Sequence, residues 1–148
     1  MEPSPEAAPA ASGPVLAVTP VGWVRSALTS PAAAPRQADE GAGPADLVVL
    51  PAFRDALRGL RPGDEVHVLT WLHLADRRAV AVHPRDDPDR PLTGVFATRS
   101  ADRPNPIGLH DATVVAVDGP TVRVDRLEAV DGTPVLDIKP RLAPAPRR

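Results

Sequence analysis

From residue 15 to residue 140 the apolar side chains come in short runs, most of them alternating with polar ones, and glycine, proline, aspartate or asparagine bounds each run. A period of two with turn chemistry at its ends marks half-buried β-strands, so the pattern predicts an all-β (β-rich) domain. Strands are expected at 15–26, 47–50, 65–74, 79–83, 92–98, 107–117, 121–127 and 135–139. In 65–74, Val66, Val68, Leu72 and Leu74 face one way and His67, Leu69, Trp71 and His73 the other. Gly22 marks a bulge or a close backbone approach. One short helix is expected over 52–60, where Phe53, Ala56, Leu57 and Leu60 share a face. Asp118-Gly119-Pro120 makes a hairpin turn, because glycine accepts a positive φ. The alternation of the following strand slips at Arg126-Leu127, as it would at a bulge. Asp131-Gly132-Thr133-Pro134 is a further turn. With no internal repeat and no long linker, the strands must share one core.

Composition sets the limits of this domain. The first 14 residues mix proline, alanine, serine and glutamate without periodicity and are expected to be disordered, because they bury too little surface to offset ordering entropy. Residues 141–148, RLAPAPRR, read as a mobile basic tail, which leaves 15–140 as the folded unit. A chain of 148 residues is long enough for a core without staples, and it contains no cysteine, so thiolate chemistry and disulfides are excluded. No apolar run approaches a membrane span and the start lacks a signal core, so a soluble cytoplasmic protein is expected. The net charge of −2 means that any polyanion must be held through local basic patches.

Candidate chemistry concentrates in two segments. In 94–109, GVFATRSADRPNPIGL, two prolines flank Asn105 and restrict their neighbours, so the loop is rigid. Arg99 or Arg103 can clamp a carboxylate and Asn105 can read an amide or adenine edge, which makes the loop a preorganised polar site. A tight structural loop with its arginines paired to aspartates explains the same residues equally well. In 131–140, DGTPVLDIKP, Asp137 alternates with Val135 and Lys139, so all three are expected on one strand face. Asp137 and Lys139 at that spacing are usually a surface pair, and His73 beside Trp71 is usually a packed histidine. Phosphate loops, HExxH and GxSxG are missing, and the four histidines lack metal-ligand spacing, so no metal is expected.

Taken together, VGWVRS (21–26), PRQ (35–37), LH (72–73), GVFATRSADRPNPIGL and VDGTPVLDIKP (130–140) resemble the TrmO or TsaA-like family in order and spacing over roughly residues 16 to 140. The resemblance implies a small single-domain β-barrel that dimerises, with S-adenosyl-L-methionine as cofactor at or near the subunit interface. It implies cofactor contacts from Arg36, Gln37 and Ala38, from His73 and Leu74, from Arg99 and Leu109, and from Arg126, Leu127 and Glu128. The reaction it implies is methyl transfer to the exocyclic nitrogen of threonylcarbamoyl-adenosine next to the anticodon of tRNA. That nitrogen must lose a proton. Asp137 is the first candidate acceptor, ahead of Glu128 and His73, with Lys139 and Arg103 orienting the substrate's carboxylate or phosphates and Asn105 completing the catalytic set. Two departures stand out: Arg141 follows DIKP where the family commonly has tyrosine, and the better-known bacterial members continue into a C-terminal extension.

Three functions compete on this basis. The first is a tRNA methyltransferase whose positive surface comes from Arg25, Arg36, Arg99, Arg103, Arg141, Arg147 and Arg148. The second is a methyltransferase of the same fold acting on a small metabolite. The third is a non-catalytic module that binds S-adenosyl-L-methionine. A homodimer is expected, because a barrel this small offers only shallow pockets of its own.

Overall fold

The computed structural model describes residues 13–29 and 42–143. The expected disorder of 1–14 and the tail beyond 143 therefore fall almost wholly outside the described residues. Eight strands form among the described residues: β1 (Gly22–Arg25), β2 (Ala45–Val49), β3 (Glu65–Trp71), β4 (Ala81–Val82), β5 (Thr93–Gly94), β6 (Ile107–Asp118), β7 (Thr121–Val124) and β8 (Pro134–Pro140). Six of them close into a barrel in the order β1-β2-β7-β6-β3-β8, and β4 and β5 pair apart from it.

The period-two pattern is what closes the barrel. Leu47 on β2, Val66, Val68 and Thr70 on β3, Val114 on β6, Val122 and Val124 on β7 and Val135 on β8 turn inward and are almost completely buried. β-branched residues fit such a pleated, half-buried wall. At the seam, Gly22 pairs with Val49 on one side and Val135 on the other. A Cβ there would lie 2.3 Å from the Val48 carbonyl oxygen, so the expected close approach is real and only glycine permits it. Gly119 takes φ +58 in the β6–β7 hairpin.

Several sequence expectations are corrected. The first strand begins at Gly22, because Pro20 has no N–H to give a ladder, and Val15, Leu16 and Val18 lie exposed ahead of it. The expected helix is a 3-10 helix, Pro51–Leu57, begun by a proline and buried at none of its positions. β3 stops at Trp71, leaving His73 and Leu74 exposed in a loop. The expected strands 79–83 and 92–98 shrink to two residues each. Pro84, Pro88 and Pro91 interrupt their ladder, and Val95–Ala97 winds into a 3-10 turn.

The two bulges also differ from expectation. The slip at Arg126-Leu127 lies beyond the end of β7, and the register shift is on β6 between Val114 and Ala116, opposite Val124 and Arg123. A second shift falls where Thr70 pairs with Val135 while Leu69 pairs with Asp137, so Leu136 is the extra residue of β8. The bulge reverses the parity of the strand: Val135 faces the core, and Asp137 and Lys139 face outward. The three do not share a face.

Candidate active-site cleft

Between β3 and β6 the chain leaves the barrel for residues 72–106, and this excursion forms one wall of a cleft of about 1310 Å³. The start of β6 and residues 126–130 supply the opposite side. Of the residues expected to contact the cofactor, His73, Leu74, Arg99, Leu109, Arg126, Leu127 and Glu128 all line this space. They come from segments far apart in the chain, and the barrel brings them together. Arg36, Gln37 and Ala38 lie outside the described residues.

Arg103 braces the excursion wall. Its guanidinium donates to the carbonyls of Thr98 (3.2 Å), Ser100 (2.9 Å) and Val95 (2.9 Å), so most of its fork is spent on the loop itself. Asp102 accepts from the Asp76 backbone N–H at 2.8 Å. Arg77 stacks over Trp71 at 5.0 Å and donates to the Pro104 carbonyl and the Asn105 side-chain oxygen. Asn105 is exposed and is not part of the cleft lining. Thus Arg103 lines the cleft while donating to the loop's own carbonyls, and Asn105 accepts from Arg77 outside the cleft. Arg99 and Arg126 are exposed on the cleft, anchored to the carbonyls of Leu109 (3.4 Å) and Asp111 (3.2 Å) on β6.

The floor holds the group that sequence reasoning missed. His110 turns inward on β6, 7 % exposed, and its Nε2 lies 2.8 Å from the hydroxyl of the fully buried Thr70. Its other ring nitrogen, Nδ1, is buried with no hydrogen-bond partner among the described residues and lies 3.9 Å from Glu128 Oε1. Burial, reinforced by the nearby Arg99 charge and opposed by Asp111, pushes the imidazole down to about 4, so the ring is neutral at pH 7. The available signal was parity: His110 shares the inward row of Gly108, Ala112 and Val114, where a polar residue needs a reason.

Asp137 and Lys139 take a different position. They pair with each other at 3.4 Å, both half-exposed, and neither lines the cleft. Asp137 instead borders a separate hollow of about 360 Å³ with Phe53 and Leu57. On the outer face of the sheet, however, Asp137, Leu69 and Leu109 form one cross-strand row, which puts Asp137 two strands from the cleft edge, about 10 Å. The neighbouring row is Lys139, His67 and Asp111, with His67 Nδ1 2.6 Å from the Asp111 carboxylate. Of the arginines expected to form a basic surface, Arg25 is bound to Asp46 at 2.9 Å, and Asp46 is shared with Arg123. Beside the cleft wall, Phe96 is 89 % exposed.

Comparison with known proteins identifies the family. The sequence profile of the tRNA-methyltransferase O N-terminal domain matches residues 23–145. An S-adenosyl-L-methionine-binding protein of Archaeoglobus fulgidus is 34 % identical over 120 residues, covering 81 % of this chain and 85 % of its own. A protein of Methanothermobacter thermautotrophicus named "Probable S-adenosyl-L-methionine-binding protein" is 41 % identical over 123 residues, 83 % of this chain and 88 % of that one. The crystal structure of TrmO from Pseudomonas aeruginosa superposes with a TM-score of 0.68 at 33 % identity, covering 86 % of this chain. The chain spans 56 % of the length of that solved protein.

Proposed function

Because the chain belongs to the family of the tRNA-methyltransferase O N-terminal domain, we propose that it is an S-adenosyl-L-methionine-dependent methyltransferase that methylates the exocyclic nitrogen of threonylcarbamoyl-adenosine beside the anticodon of tRNA. One observation carries the reading: a single cleft gathers His73, Leu74, Arg99, Leu109, Arg126 and Glu128 from otherwise separate segments. Their chemistry fits the donor. Arg99 and Arg126 suit its carboxylate, and the buried Leu127 and Ala129 give the purine an apolar neighbourhood. The His110 Nδ1, which has no hydrogen-bond partner among the described residues, suits a polar atom of such a ligand. When bound, the donor supplies an electrophilic methyl group on a positively charged sulfur.

The chain's own residues do the rest. Arg103 and the prolines hold the wall so that Arg99 is preorganised, which limits the entropy lost on binding. Glu128, in the cleft, is better placed than Asp137 to take the proton released from the acceptor nitrogen. Phe96 offers a solvent-facing ring on which a nucleobase can stack. A second copy of the chain belongs on the outer face of β3 and β6, where Ile107 and Leu109 are 47 % and 43 % exposed beside the half-buried Leu69 and Trp71. Covering that strip walls water away from the cleft edge.

Mass spectrometry of tRNA nucleosides, with and without the purified protein and methyl donor, tests the reading: one added methyl on the threonylcarbamoyl nucleoside is expected. Donor binding with no methylated nucleoside would reduce the function to the binding for which the archaeal relatives are named.

A further inference from the structure

The Thr70–His110–Glu128 arrangement on the cleft floor assigns a role to a residue outside the family's motif. The Thr70 hydroxyl can either donate to or accept from His110 Nε2. On the other side of the ring stands Glu128, whose ionised carboxylate can only accept. The carboxylate favours a proton on Nδ1, so Thr70 donates to Nε2 and the buried Nδ1 carries an N–H on the side of Glu128, which lines the cleft. At 3.9 Å this N–H does not bond Glu128 itself. The floor therefore offers one neutral donor and one carboxylate acceptor side by side, in a cleft that buried Leu127 and Ala129 also line.

We infer that His110 Nδ1–H, together with Glu128, seats the uncharged nucleoside half of the methyl donor and is a specificity-determining contact of the cleft. The inference rests on the cofactor reading above and follows from matching chemistry. A carboxylate ligand would call for a cation, and the cations lie at the exposed Arg99 and Arg126. An ammonium would call for acceptors and be opposed by an N–H. An adenine edge or a ribose hydroxyl carries both an acceptor and a donor and answers both groups at once. The ring's neutrality suits an uncharged partner, and Gly108 leaves room for the whole assembly, since a Cβ there would meet Thr70 Oγ1 at 2.3 Å and His110 Nε2 at 2.7 Å.

Two measurements test this. In ¹⁵N-labelled protein, free His110 should show the neutral Nδ1–H form at pH 7, and millimolar 5′-methylthioadenosine should shift its Nδ1 resonance while millimolar methionine does not. A silent Nδ1, or a response to methionine alone, overturns the inference. Calorimetry with S-adenosylhomocysteine then compares two isosteric variants. His110→Asn keeps an N–H near the Nδ1 position and should stay within about threefold of the unaltered protein, whereas His110→Gln places its amide near Nε2 and should weaken binding about tenfold, the scale of one neutral hydrogen bond. Equal losses in the two, with unfolding midpoints equal, would show that the ring only fills space and would overturn it. If the unaltered chain binds no S-adenosylhomocysteine, the cofactor reading itself fails and takes the inference with it.

Discussion

Gly108 and Thr70 face each other across β6 and β3 so closely that no side chain fits between them: a Cβ at 108 would sit 2.3 Å from the Thr70 hydroxyl oxygen. The glycine of the PNPIG segment is thus a packing requirement of the cleft floor, set by the partner strand and not by its own dihedrals.

Gly108→Ala is accordingly expected to destabilise the barrel by about 1–3 kcal/mol, the usual range for an overpacked core. Thr70→Ala in the same chain should restore part of the loss, because it removes the nearer of the two clashing atoms. Urea denaturation of the four members of the cycle checks this: strict additivity would mean that the two positions do not meet.

Stability should fall with acid through His110. Its folded form takes up a proton only near 4, against 6.5 for the free side chain. Between those values the unfolded chain binds more protons, so the contribution is whole above pH 6.5, shrinks as the pH falls, and is gone by about 4. The loss amounts to roughly 3 kcal/mol. In His110→Asn that part of the pH dependence should disappear, read as a difference between the urea curves of the two proteins at pH 7 and pH 4.

Glu128 and Asp137 separate under mutation. Glu128→Gln should lower the single-turnover methyl-transfer rate about a hundredfold, the scale of a lost proton acceptor, while Asp137→Asn, outside the cleft, should change it less than about threefold. A large effect at Asp137 with none at Glu128 would move the proton acceptor to the outer sheet face.

Phe96→Ala should weaken tRNA binding by about 1–3 kcal/mol, one lost stacking partner. Donor affinity should not change, because the ring projects to solvent and not into the cleft. Filter binding and calorimetry on the same preparation check both halves.

The exposed Ile107 and Leu109 should lie at a dimer interface. Light scattering is expected to give twice the chain mass for the unaltered protein and a monomer for Ile107→Glu, since a buried unpaired carboxylate opposes association. A monomeric unaltered protein with full activity would remove the second copy from the site.

Much of this was legible before the fold was known, because it depends on local rules. Alternation located the barrel strands 45–49, 65–71, 107–118 and 121–124 to within a few residues, since a strand with one wet face repeats every second residue whatever it pairs with. Gly22 and Gly119 are legible from equally local chemistry, the missing Cβ at a close backbone approach and the tolerance of a positive φ. The short pieces of the excursion were overextended, because prolines and aspartates there compete with a ladder in ways that a run of apolar residues does not reveal.

The sequence by itself determined the all-β class and the family. Only the tertiary structure decided which way the site residues face. One extra residue in β8 turned Asp137 and Lys139 outward, and one pairing across β3 and β6 set His110 against Thr70. Parity along a strand is local, but a bulge or a cross-strand neighbour is fixed by the partner strand, and no single segment carries that information.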